Sequence, residues 1–90
     1  MSALYNKLGK KMTAIVNIFL KEGVLDPQGK AIHHALDAMN FEGVEDVRMG
    51  KQIVLKLSTN NKEEAQKEVE KMAQEILANT VIEDYTIELL

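Results

Sequence analysis

Apolar and polar residues alternate along the chain with two periods, which separate strands from helices. Residues 13–20 (TAIVNIFL) are mostly apolar and rich in β-branched residues, and in an extended chain their apolar side chains fall on both faces. One face carries Ala14, Val16, Ile18 and Leu20, and the other carries Ile15 and Phe19. The pattern predicts a strand that is covered on both faces.

A sharp turn into a helix follows at residues 21–29 (KEGVLDPQG). Asp26 can accept hydrogen bonds from the N–H groups of a first helical turn, and Pro27 suits the first helical position because its missing N–H would have no partner. Apolar residues then recur at helical spacing, namely Ile32, Ala35, Leu36 and Met39. We predict an amphipathic helix that begins at Asp26 and lies on a sheet.

The next stretch is typical of a β-hairpin. Residues 44–49 are compatible with a short strand, Gly50-Lys51 with a tight turn, and residues 52–58 (QIVLKLS) alternate apolar and polar side chains. A two-residue turn and a bulged three-residue turn both fit, and they would bury different faces of the 44–49 strand. The pattern predicts the hairpin and leaves its register open.

A second helix and a last strand complete the chain. Asn60 and Asn61 are each followed three residues later by Glu, which is typical of a capped helix start, and Asn79 suits the helix end. The apolar stripe of this helix is Ala65, Val69, Met72, Ala73, Ile76 and Leu77. In the strand that follows (residues 81–90), Tyr85, Ile87 and Leu89 share one face.

The order β-α-β-β-α-β predicts an α+β, ferredoxin-like fold, in which a mainly antiparallel sheet of four strands carries both helices on one face. Residues 12–90 would form this domain, and residues 1–11 a poorly ordered N-terminal extension. A chain of 90 residues buries only about 60–65% of its unfolded surface. Because the first strand is apolar on both faces, we expect dimerisation, as a homodimer or a dimer of dimers, to bury the sheet faces.

Composition excludes several classes of function. The chain has 14 acidic and 11 basic side chains and a net charge of −3, which disfavours nucleic acid as a partner. It has no Cys, which rules out disulfides, thiolate metal sites and cysteine nucleophiles. No apolar run has the length of a membrane span and no segment has the pattern of a signal peptide, so we expect a cytoplasmic protein with no membrane partner.

No group of side chains predicts an active site. The stretch Gly43–Lys51 ends in Gly-Lys, but the spacing of its glycines and Gln52 after the lysine do not fit a phosphate-binding loop. His33 and His34 are adjacent and would point about 100° apart on a helix, so they cannot share a metal ion. No serine lies beside a histidine in the sequence. We therefore expect no catalytic residue, no cofactor and no metal.

Three blocks of the sequence resemble the PurS family. They are residues 21–29 (KEGVLDPQG), 46–51 (DVRMGK) and 77–85 (LANTVIEDY), and they occur in the order and spacing of that family. The resemblance runs from about Thr13 to Leu90 and leaves about eleven extra residues at the start. PurS is the small subunit of the multi-subunit formylglycinamidine ribonucleotide (FGAM) synthase of purine biosynthesis.

The resemblance implies a subunit without catalytic residues that pairs with a copy of itself and helps to join two larger subunits. These are the glutaminase subunit, PurQ, and the ATP-dependent synthetase subunit, PurL. In that complex, ammonia released from glutamine converts formylglycinamide ribonucleotide (FGAR) to FGAM at the expense of ATP. The absence of Cys and of a phosphate-binding loop agrees with this, since both chemistries would belong to the partners.

Partner contacts are expected in two predicted loops that match family blocks. The candidate residues are Asp26, Pro27, Gln28, Gly29, Arg48, Gly50 and Lys51. A helix cap and a turn explain Asp26, Pro27 and Gly50 equally well. The competing function is an ACT-type sensor, which shares the β-α-β-β-α-β order and binds amino acids near the loop after its first strand, where Gly23 lies. Calorimetry with glutamine and other amino acids would separate the two functions.

Overall fold

The computed structural model describes residues 12–90, so the predicted N-terminal extension, residues 1–11, lies outside the described residues. Three strands and two helices follow one another in the order β-α-β-α-β. They are β1 (Met12–Leu20), α1 (Pro27–Ala38), β2 (Gly50–Leu57), α2 (Lys62–Met72) and β3 (Glu83–Leu89). A π-helical turn, Ala73–Leu77, continues α2. The predicted α+β class and the antiparallel sheet are confirmed.

The sheet has the order β2-β1-β3, and β1 pairs antiparallel with both neighbours. Val16 in the middle of β1 lies opposite Ile53 of β2 and Ile87 of β3, so apolar side chains of all three strands point to one face. β1 is central because its apolar, β-branched sequence suits a strand with a neighbour on each side.

The core lies between this face and α2. Ala14, Val16 and Ile18 of β1 are buried against Val69 of α2 and Ala73 of the π-helical turn. At the start of α2, the Asn61 side chain accepts a hydrogen bond from the Glu64 N–H at 3.1 Å, which confirms the predicted cap. The Tyr85 hydroxyl donates to Glu70 Oε2 at 2.9 Å and ties β3 to α2. α2 is thus fixed to the sheet by apolar packing at Val69 and by the Tyr85–Glu70 bond.

Ile76 departs from the predicted apolar stripe, since 79% of its surface is exposed. The Ala78 N–H donates to the carbonyl of Ala73, five residues earlier, at 2.9 Å. A π-helical turn holds more residues than an α-helical one, so the side chains after Ala73 rotate out of phase with the stripe. The prediction that Ile76 lies in the core was therefore wrong.

The opposite face of the sheet carries a ladder of polar side chains. Gln52 Nε2 donates to Asn17 Oδ1 at 3.0 Å, and Lys56 Nζ donates to Thr13 Oγ1 at 3.3 Å. Val54 is exposed on this face, and Phe19 partly so. These polar pairs satisfy one another at the surface, so this face needs less cover than its apolar positions alone suggest.

The predicted strand at residues 44–49 and the hairpin after it were wrong. Residues 44–49 form no strand and pair with no strand of the described chain, and Gly50 and Lys51 are the first residues of β2 instead of a turn. Gly50 lies opposite Phe19 at the end of β1. The polypeptide runs on into β2 without folding back, because the backbone of residues 44–49 is held by α1.

The prediction that α1 packs on the sheet was also wrong for a single chain. None of its apolar side chains belongs to the core, and Ile32 and Met39 are 39% and 66% exposed. α1 instead lies along residues 44–49, where His33 Nε2 is 2.7 Å from the Val44 carbonyl oxygen. We call residues 27–49, which contain α1, its following turn and residues 44–49, the arm. Nothing in residues 12–90 has the length and apolar character of a membrane-spanning helix.

Candidate partner-binding site at the elbow

The elbow, residues 21–29, joins the end of β1 to the start of α1, and Asp26 is its centre. The Asp26 side chain is 4% exposed and accepts from the Gly29 N–H at 2.9 Å, as the predicted cap requires. Its second oxygen accepts from the Met49 N–H at 2.7 Å, a bond across 23 residues. The N–H groups of Met49 and Gly29 lower the pKa of Asp26 below its ordinary value of 3.8, because they stabilise the carboxylate.

Two of the candidate glycines are explained by close packing of the backbone. A Cβ atom at Gly29 would overlap the carbonyl oxygen of Val47, so α1 and residues 44–49 approach more closely than any side chain allows. A Cβ atom at Gly50 would lie 2.9 Å from the carbonyl oxygen of Ile18. Gly29 is buried and Gly50 is exposed, but at both positions the backbone of another segment lies too close for a side chain.

Arg48 also has an internal role. Its guanidinium donates from Nη2 to the carbonyl oxygens of Lys21 and Val24, at 3.2 and 3.1 Å. The sequence offered no packing reason for Arg48, but these two bonds hold the loop after β1 against the arm. Together with Asp26, Arg48 therefore fixes the direction in which the arm leaves the sheet.

The remaining candidates, Pro27, Gln28 and Lys51, are exposed, as are Arg48 and Gly50, so only Asp26 and Gly29 are buried. Lys51 Nζ lies 3.8 Å from Glu83 Oε2, and that lysine remains more than half exposed. Asp26, Gln28, Gly50 and Lys51 line one open cleft of about 250 Å³ at the end of the sheet. The structure thus brings the two predicted loops together, with Asp26 and Gly29 buried and the other five candidates exposed.

The cleft has little that would hold a small ligand. In residues 12–90, every buried side-chain nitrogen or oxygen already has a hydrogen-bond partner, and Asp26 uses both carboxylate oxygens within the chain. The same residues contain no cluster of three or more acidic or histidine side chains suited to a metal ion. The elbow is therefore a shaped surface whose one buried carboxylate is already occupied by backbone N–H groups.

Exposed apolar residues beside the elbow were missed in the sequence. Leu25 and Val81 are 67% and 82% exposed, and their two loops meet where the Lys21 N–H donates to the Ile82 carbonyl at 2.8 Å. Lys21 Nζ adds an ion pair with Asp84 at 2.7 Å. Leu25 fits the apolar pattern of neither neighbouring element, which was an available signal. Val81 had been placed in the last predicted strand, which the structure begins only at Glu83.

The chain matches a family model and curated relatives over most of its length. The model described as "PurS: Phosphoribosylformylglycinamidine (FGAM) synthase" matches residues 13–90. The PurS subunit of Bacillus subtilis is 46% identical over 74 residues, which are 82% of this chain and 87% of that protein. The PurS subunit of Methanocaldococcus jannaschii is 42% identical over 76 residues, 84% of this chain and 92% of that protein.

Solved structures share the fold. Bacillus subtilis PurS superposes with a TM-score of 0.78 at 43% identity, covering 88% of this chain and 98% of that one. A chain in the structure of PurLQS from Thermotoga maritima gives a TM-score of 0.81 at 31% identity, covering 89% of this chain and 98% of that one. The sequence blocks, the antiparallel sheet and these matches agree, and the chain belongs to the PurS family of FGAM synthase subunits.

Proposed function

We propose that this chain is the small accessory subunit of FGAM synthase, and that it helps to join the glutaminase subunit PurQ to the synthetase subunit PurL in the cytoplasm. The observation that carries the proposal is the PurS family match across residues 13–90, which includes both loops of the elbow region. The likeness to a chain of the Thermotoga maritima PurLQS structure supports membership of such a complex. The complex would convert FGAR to FGAM with glutamine and ATP.

The chemistry of the reaction is assigned to the other subunits. A chain without Cys cannot supply a thiolate to attack the amide carbon of glutamine. Residues 43–51 do not form a loop between a strand and a helix, as a phosphate-binding loop would, since they run along α1 into β2. The subunit therefore contributes structure, and its effect on the rate acts through the arrangement of its partners.

A structural subunit matters here because the nitrogen donor is a small molecule that is easily lost. Ammonia released into water is diluted and largely protonated, whereas two active sites held in fixed relation can pass it on directly. Joining the glutaminase to the synthetase raises the effective concentration of ammonia at the second site without a new catalytic group.

The surface for the larger subunits would be formed by the exposed side of the elbow. Pro27, Gln28 and Lys51 are exposed there, and Leu25 and Val81 add apolar area that the chain itself leaves uncovered. Asp26, Gly29, Arg48 and Gly50 would act indirectly, by holding this surface in shape. The exposed apolar side of the arm is a separate surface, which we assign to a second copy of the chain.

The test is assembly from purified proteins. The chain is mixed with PurL and PurQ in the presence of glutamine and nucleotide, and the mixture is separated by size-exclusion chromatography. All three proteins should elute together, and the chain alone should hydrolyse neither glutamine nor ATP. Titration of the isolated chain with glutamine should give no heat of binding. Elution of the chain apart from both partners, or glutaminase activity of the chain alone, would contradict the assignment.

A further inference from the structure

Two loops at one end of the sheet present apolar side chains that the chain itself leaves uncovered. One loop follows β1 and carries Leu25, and the other precedes β3 and carries Val81 and Ile82. The loops are joined where the Lys21 N–H donates to the Ile82 carbonyl oxygen at 2.8 Å. We call Leu25, Val81 and Ile82 the end patch. A single exposed apolar residue is ordinary on a protein surface, but three on two joined loops indicate a binding surface.

The loop that carries Val81 is held in shape by its own polar groups. The Asn79 side chain accepts from the Val81 N–H at 3.2 Å, and the Asn79 carbonyl oxygen accepts from the N–H groups of Ile82 and Glu83 at 3.0 and 2.7 Å. The Glu83 carboxylate accepts in turn from the Asn79 N–H at 2.7 Å. None of these bonds uses the Val81 side chain, so the loop needs no apolar residue at its tip. It presents Val81 in a fixed position, which lowers the entropy cost of binding.

The loop that carries Leu25 is fixed as well. The Val24 N–H donates to the Lys21 carbonyl oxygen at 3.1 Å, and Arg48 donates to the carbonyl oxygens of both residues. Gly23 has a φ of 88°, a left-handed conformation that glycine adopts without strain. Both loops are therefore shaped before any partner binds.

The surface beside the end patch is acidic. An open cleft of about 530 Å³ shares the loop after β1 with the end patch, and it is lined by the carboxylates of Glu22, Asp46 and Asp84 and by the Arg48 guanidinium. Lys21 forms an ion pair with Asp84 at 2.7 Å. Glu22 and Asp46 form no ion pair with any cation of the described chain. A protein that covers this surface should therefore carry positive charge.

The same charges disfavour a second copy as the occupant. A two-fold contact places the same surface of each copy against itself, so Glu22 and Asp46 would face the same carboxylates of the other copy. Like charges set opposite one another weaken such a contact. A different protein with basic side chains is the occupant that fits.

We propose that the end patch is the apolar anchor for a larger subunit of FGAM synthase, whose facing surface carries an apolar socket with Lys or Arg side chains at its rim. Leu25 and Val81 enter the socket, and Glu22 and Asp46 meet the basic rim. The inference rests on the proposed function and adds which residues bind and what chemistry the partner surface has. Buried anchors determine how slowly the complex dissociates, whereas rim charges mainly determine how fast it forms.

Substitution at two exposed valines supplies the direct test. Val81→Thr keeps the shape of the side chain but places a hydroxyl group in the apolar socket, so binding to PurL and PurQ, with glutamine and nucleotide present, should weaken roughly tenfold. Val54→Thr makes the same change at an exposed valine on the polar face of the sheet, and this matched control should bind like the unmodified chain. Leu25→Ala should weaken binding by a similar factor. All three variants should keep the melting temperature of the unmodified chain.

Two further variants separate loop geometry from charge. Asn79→Ala removes the bond to the Val81 N–H and should weaken binding, whereas Asn79→Asp keeps an accepting oxygen and should bind like the unmodified chain. Glu22→Lys should slow association several-fold with little effect on dissociation, and association of the unmodified chain should slow as salt is added. Association that is independent of salt would contradict the basic rim.

The outcomes distinguish this inference from the proposed function. If the unmodified chain elutes with PurL and PurQ, and Val81→Thr and Leu25→Ala bind as tightly as it does, the subunit assignment stands and the end patch is not the interface. If either variant changes the mass of the isolated chain in light scattering, the end patch contacts a second copy and the inference is wrong. If the unmodified chain binds neither subunit, both the assignment and the inference are refuted.

Discussion

At the scale of single residues, the candidate site divides into those that shape the elbow and those that face outward. Asp26 and Arg48 bind backbone groups of distant segments, and Gly29 allows α1 to approach the carbonyl oxygen of Val47. The cap role of Asp26 was readable from Asp-Pro before an apolar helix. Its second bond, to Met49, was not, because a sequence pattern carries no information on contacts across 23 residues.

Asp26 makes stability depend on pH in acid. Its folded-state pKa lies below the ordinary value of 3.8, so the stabilisation is complete above that value and is lost as the pH falls through the lowered folded-state pKa. Asp26→Asn should unfold at a lower temperature at pH 7, because an amide cannot accept both N–H bonds, and its melting temperature should fall less between pH 4 and pH 2.

Thermal unfolding followed by circular dichroism at one protein concentration measures this difference. Glu45→Gln, an exposed carboxylate in the arm, is the matched control and should retain the acid response of the unmodified chain. An Asp26→Asn variant with the same midpoint at pH 7 as the unmodified chain would contradict the proposed role of Asp26.

The outward residues should affect binding and not stability. Gln28→Ala and Lys51→Ala remove exposed side chains, so the free energy of unfolding should change by less than about 0.5 kcal/mol. If the elbow contacts PurL or PurQ, the double variant should weaken binding roughly tenfold, or about 1.4 kcal/mol. Arg48→Glu should instead lower the melting temperature, since it removes two bonds to backbone carbonyls. Unchanged affinity of the double variant would move the interface elsewhere.

At the scale of elements, short-range sequence patterns predicted the type of each segment, helix or strand, more reliably than its packing partners. The starts of α1 and α2 and the central strand follow from caps and from apolar periodicity. The predicted hairpin at Gly50-Lys51 did not form. A Gly-Lys pair permits a turn, and it equally permits a strand to continue. Distant contacts decide between them, here Asp26 to Met49 and α1 to residues 44–49. Such contacts leave no local periodicity to read.

The π-helical turn after α2 gives a prediction at this scale. Val69 is fully buried, so Val69→Ala should lower the free energy of unfolding by on the order of 2 kcal/mol through lost burial and a residual cavity. Ile76 sits in the same predicted stripe but is rotated outward, so Ile76→Ala should cost less than about 0.5 kcal/mol. Chemical denaturation measures both, and equal losses would place Ile76 in the core after all.

At the scale of the whole molecule, the single chain is an incomplete version of the predicted fold. Three strands and α2 form its core. The arm carries α1 and residues 44–49, which the predicted fold uses as its other helix and its fourth strand. The expectation that a second copy is needed followed from chain length and from the doubly apolar β1. The sequence did not show which surface would meet the second copy, because α1 has the pattern of an ordinary helix that packs on its own sheet.

The central claim is that this chain supports FGAM synthesis by arranging its partners and not by chemistry of its own. The most direct measurement is the rate of FGAM formation by PurL and PurQ with and without the chain, using first glutamine and then concentrated ammonia as the nitrogen source. Omitting the chain should reduce the glutamine-dependent rate strongly and the ammonia-dependent rate much less, because only the former requires transfer between two held sites. Full glutamine-dependent synthesis by PurL and PurQ without the chain would contradict the account.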